Sequence, residues 1–124
     1  MQRDATKFYE EWPAAVAMVK SKAPEIAKGF GAFFRDLMKD GGEGGLSVKH
    51  KELTAMAIGV AVRCEPCIYA HVEKCLKAGA TPREIMDATG VAVMMGGGPA
   101  YTYLPLVAGA LEHFEKNPPS AAHE

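Results

Sequence analysis

Cys64-Glu65-Pro66-Cys67, followed by His71, is the group of residues in this chain best suited to chemistry. Two cysteines with two residues between them can close a small disulfide ring. Four positions along a helix brings an imidazole over the second sulfur. A thiol attacks only as its thiolate, so a neighbouring base or cation separates a reactive cysteine from an inert one. With Pro66 in the first turn of a helix, Cys67 lies in that turn and Cys64 just outside it, both facing the positive end of the helix dipole. His71 is placed to take the proton of Cys67 or to hold the sulfur anion. Cys67 is then the candidate attacking sulfur, and Cys64 the one that resolves a sulfenic acid or mixed disulfide. Glu52, on a helical stretch upstream, is the candidate carboxylate of a carboxylate–imidazole–thiol relay.

Two plainer readings compete with this one. Free cysteines often do no more than fill space between helices. The spacing of the pair, the helix-opening proline and the histidine argue together against that, and Cys75 alone reads as a packed spectator. A zinc site would take Cys64, Cys67, His71 and Cys75, but these ligands spread over ~16 Å of one straight helix and cannot close on one ion. No metal or flavin is expected. For Glu52, spacing alone leaves two readings level. In an antiparallel pair turning near Arg63, Glu52 lies ~16 Å and His71 ~12 Å from the turn, so contact needs a long side chain and a steep crossing. The alternative is a solvated glutamate paired with Lys49 or Lys51. His50 is a possible substitute partner, and neither His113 nor His123 belongs to a pattern.

The rest of the chain sets limits on what this group serves. At 124 residues it is expected to form one domain, 1–124, with 48% apolar and 23% charged residues. A net charge of −1 gives no basic face for nucleic acid. The charged start, Met1 to Lys7, does not look like a secretory leader, and the best apolar run, Thr54 to Val62, is far short of the ~20 residues of a membrane span. The expectation is a protein of the cytoplasm with no membrane partner, and three cysteines there suit catalysis better than a disulfide framework.

Between its Gly and Pro clusters the sequence has helical spacing throughout, so the fold class is all-α, of five to six helices. A first helix spans about Asp4 to Lys20, with Pro13 expected to kink or split it. Pro24 opens a second, whose Ile26, Phe30, Phe33, Phe34 and Leu37 make an apolar stripe. Gly41 to Gly45 form a loop, and Ser47 caps a third helix reaching about Val62. Pro66 to Gly79 bound a fourth. Thr81-Pro82-Arg83-Glu84 is a capping box for a fifth, apolar nearly all round, which implies burial or a subunit interface. Gly96-Gly97-Gly98 should end it, with Pro99 starting a last helix that carries Tyr103, Leu106, Val107, Ala110, Leu111 and Phe114 inward. Residues 117–124 read as a loose tail.

Lys51-Glu52-Leu53, Cys64-Glu65-Pro66-Cys67-Ile68-Tyr69-Ala70-His71, Gly79-Ala80-Thr81 and Met95-Gly96-Gly97-Gly98-Pro99-Ala100 together resemble the carboxymuconolactone decarboxylase superfamily. Within it the chain is similar to the alkylhydroperoxidase D-like branch, over roughly residues 46–111. The resemblance implies a helical subunit assembled into a homo-oligomer, a trimer or hexamer, that reduces hydroperoxides through its cysteine pair. By this similarity Cys67 forms the sulfenic acid, Cys64 completes the redox disulfide, Glu52 and His71 relay the proton, and an external dithiol or disulfide-reducing protein resets the pair. The chain departs from the best-known peroxidases of that branch in carrying Glu65-Pro66 where they have a histidine between the cysteines. A lactone decarboxylase or isomerase on the same scaffold is the alternative, as is a non-catalytic, redox-responsive oligomer.

Overall fold

The computed structural model describes residues 4–119, which fold as six helices with no strand among them. They are α1 (Ala5–Lys22), α2 (Pro24–Met38), α3 (Val48–Ala61), α4 (Glu65–Lys77), α5 (Pro82–Tyr101) and α6 (Leu104–Lys116). His123 and the last part of the expected tail, 120–124, lie outside the described residues. Among the described residues no single helix is long and apolar enough to cross a membrane. The pair α5 and α6 reaches that length and composition only together, and it is bent by 108°.

Local chemistry sets most of the helix ends. Asp4, Ser47 and Thr81 each accept a backbone N–H three residues on, and Glu84 returns the bond to Thr81 N–H. Gly79 stops α4 as expected, with Ala80 N–H bonded to the Cys75 carbonyl. Pro13 does not split α1. Its missing N–H leaves one carbonyl without a helical partner, while Phe8 and Tyr9, N-terminal to it, are locked against Tyr69 and Phe114.

The end of α5 differs in detail from expectation. Gly97 sits at φ 71°, ψ −158°, a conformation open essentially to glycine alone, and breaks the helix there. The turn that Pro99 starts does not continue to Phe114. It ends at Thr102-Tyr103, and Pro105 in the first turn of α6 begins the last helix in a new direction.

The core is a hairpin of α3 and α4, with α5 laid along α3 and α6 along α4. Met56, Val60, Ile68, Tyr69, Val72, Ile85, Leu106 and Val107 are its sealed interior. α1 closes one side through Phe8 and Tyr9, whose hydroxyl donates to the Tyr69 carbonyl. α2 is different: it has no buried residue, and its apolar stripe faces outward except at Phe34, with Phe30 62% exposed. Lys51 fastens its far end by donating to the Leu37 and Lys39 carbonyls.

Candidate active site

The α3–α4 turn delivers the cysteines. Arg63 takes the left-handed conformation (φ 59°), its N–H reaching the Val60 carbonyl, while Cys64 N–H reaches the carbonyl of Gly59. Cys64 is then the N-cap of α4, where its sulfur accepts the Cys67 N–H at 3.3 Å, and the two cysteines are joined as a disulfide. Gly59 eases this placement. A Cβ there would stand 3.1 Å from the Cys67 Cβ, so a larger residue would push the first turn of α4 away from α3 by a few tenths of an ångström.

About two turns deeper along α3 the hairpin buries a charge. Glu52 is 5% exposed, and its Oε1 lies 2.7 Å from His71 Nδ1. The structure thus closes the gap that spacing left open. The lysines of the competing reading are engaged elsewhere: Lys49 with Glu84 at 3.0 Å, Lys51 with the end of α2. His50 bonds Ser47, its own helix cap. With the carboxylate accepting from Nδ1–H, the neutral ring keeps the lone pair of Nε2 for another proton.

Two groups around the pair carried no sequence signal of their own. Phe34 of α2 stacks on His71 at an interplanar angle of 25°, and the Lys74 ammonium sits over the Phe34 ring, 5.4 Å from its centre. Sequence placed Phe34 only in an apolar stripe, because nothing in spacing says which of five apolar residues meets the imidazole. Gly59, hidden in an apolar run, could have been found only by knowing how closely α4 approaches. Cys75 is sealed in the core, and its thiol is pushed up to about 12, by burial first and then by the Glu52 carboxylate. It is inert where a solvent-facing thiol would react. Among the described residues no three His, Cys, Asp or Glu side chains converge as metal ligands would.

The family described as carboxymuconolactone decarboxylase matches residues 24–109. The chain belongs to that family. The match begins at α2, well before the motif region around residues 46–111, so the helix bearing Phe34 is part of the shared unit. A family member from Legionella pneumophila is 36% identical, with 93% of this chain and 97% of that one aligned at a TM-score of 0.77. A Thermotoga maritima member, for which a role in an antioxidative response has been suggested, is 28% identical over 94% and 99% of the two chains, with a TM-score of 0.76. An uncharacterised protein of Cupriavidus necator is 30% identical over 96 residues, covering 68% of this chain and 85% of its own. The family fold and a closely spaced cysteine pair are compatible with peroxidase activity.

The buried pair makes a stability statement that needs no assay of function. His71→Leu strands a carboxylate in the core and should lower unfolding free energy by about 3 kcal/mol. Adding Glu52→Met should restore most of it in urea melts, because two apolar groups of similar volume replace the pair. A double variant no more stable than His71→Leu alone would mean that the carboxylate is not held by the ring.

Proposed function

We propose that this protein is a thiol peroxidase and disulfide oxidoreductase of the alkylhydroperoxidase D-like kind, acting through Cys67 and Cys64. The observation that carries the reading is the buried Glu52–His71 contact one helical turn from Cys67, beside a cysteine pair able to close its own ring. In the reduced protein His71 takes the Cys67 proton, and the thiolate attacks the peroxidic oxygen of a hydroperoxide. The O–O bond breaks. The departing alkoxide takes the proton from the imidazolium and leaves as alcohol, or as water when the substrate is hydrogen peroxide. Cys67 is now a sulfenic acid; Cys64 attacks it, the S–S bond forms and water leaves. An external dithiol, itself oxidised to a disulfide, returns both cysteines to thiols. Glu52 fixes the ring orientation and stabilises its charged form. The thiols supply the electrons, so the cycle calls on no metal or flavin.

The suggested antioxidative role of the Thermotoga relative supports the same class of activity. The oligomer belongs to this proposal as well. The α2 stripe is exposed, as is the far face of α5, where Met95 is 75% exposed beside Val91 and Met94. Apolar surface on this scale suits contact with further copies of the chain, as a trimer or hexamer. Sedimentation equilibrium should return a mass of at least three times the 13.2 kDa of one chain, and a monomer or dimer at micromolar concentration would remove this part of the proposal.

Chemistry is tested by adding one equivalent of an organic hydroperoxide to reduced protein and mapping the products by mass spectrometry. A Cys64–Cys67 bond should form with Cys75 unmodified. Cys64→Ser should instead accumulate sulfenic acid on Cys67, Cys67→Ser should be inactive, and Glu52→Gln should slow the step by about 10²-fold. Unchanged peroxide consumption in both serine variants would overturn the enzyme.

A further inference from the structure

Between α2 and the α3–α4 hairpin there is a cleft of about 550 Å³ in which Glu52 forms part of the lining. Phe34, Met38 and Val48 supply apolar walls. Around them stand four cations, Arg35, Lys39, Lys74 and Lys77, against two carboxylates, Glu52 and Asp40. One of those carboxylates is already held by His71, and Lys77 shares its charge with Glu73 at a loose 3.8 Å. A net positive cleft in a chain of net charge −1 is a local excess that composition does not predict.

Its position on α4 links it to the sulfur. Cys67, His71, Lys74 and Ala78 follow one another at spacings of four, three and four residues, so they form a single stripe of that helix. Ala78 and Lys74 line the cleft, His71 touches its wall through Phe34, and Cys67 ends the stripe. Lys74 is ~10 Å along the axis from Cys67 and Lys77 ~15 Å. A molecule with an anionic group on these lysines and a medium-length apolar body would lie along Phe34 and bring its far end toward the cysteines.

We propose that the cleft between α2 and the α3–α4 hairpin binds an amphipathic carboxylate, and so selects hydroperoxides that carry one. The selection rests on the peroxidase reading above, whereas the binding stands without it. Cations flanking an apolar slot discriminate by charge at one end of a ligand and by buried area along its body, which neither a small neutral peroxide nor a bare anion satisfies together. Phe34 has two parts here, as a wall of the slot and as the ring stacked on the imidazole.

The probe is decanoate, which has the shape and charge but no peroxide, compared with its neutral amide by isothermal titration of the whole reduced protein. Decanoate should bind about tenfold tighter than decanamide at 50 mM salt, and the difference should shrink to about twofold at 500 mM as the lysines are screened. Lys74→Met with Lys77→Met should weaken decanoate at least fivefold and leave decanamide as it was, with Lys28→Met, outside the cleft, as the control for net charge. Equal affinity for the two ligands, or no decanoate binding below 1 mM, overturns the inference. That result is separable from failure of the peroxidase: decanoate binding without peroxide consumption removes the enzyme and keeps the cleft, and peroxide consumption without charge preference does the reverse.

Discussion

Everything near the cysteines depends on one buried contact, the Glu52 carboxylate against the His71 ring. Taking a carboxylate out of water costs several kcal/mol unless a partner offsets it, and here the partner lies 2.7 Å away. The pair can exist only if α3 and α4 cross where they do. That crossing brings Gly59 to the closest approach, where a Cβ would be tight, and sets Arg63 in a left-handed turn that is mildly costly for a residue with a Cβ. The same turn puts Cys64 at the cap of α4 and Cys67 one turn from the ring. Charge, turn and sulfur placement are thus one arrangement.

The second constraint is what the core leaves uncovered. Four helices, α3 to α6, with the start of α1, bury nearly all the sealed apolar residues, and α2 buries none. A helix held by Lys51 at its end and by the stack of Phe34 on His71 has few ties to the hairpin, yet it forms one wall of the cleft beside Glu52. Its outward stripe is apolar where a solvated helix would be polar. One face of α2 therefore meets the site, and the other is a surface suited to a further subunit.

Much of this was legible in sequence because it is local. Ser47 and Thr81-Glu84 set helix starts through hydrogen bonds spanning three residues, Gly79 and the helix-opening prolines act through their own backbone conformation, and the cysteine pair with its histidine is a pattern within one helix. What was not legible depends on how two helices cross. Spacing could not decide between His71 and a lysine as the partner of Glu52, because the answer lies in a crossing angle. Nor could it mark Phe34 among the apolar residues of α2, or show that α6 begins at Leu104-Pro105 and not at Pro99. Pro13 misled for a related reason: its local preference for a break is overridden by aromatic packing on its N-terminal side.

The central claim is that the ring held by Glu52 keeps the Cys67 sulfur ionised near neutrality. The direct measurement is thiolate absorbance near 240 nm, followed against pH in reduced protein and in His71→Asn. One thiol should titrate well below the ~8.5 of a free cysteine, and the substitution should return it toward that value. A Cys67 that holds its proton to ~8.5 in both proteins would contradict the account.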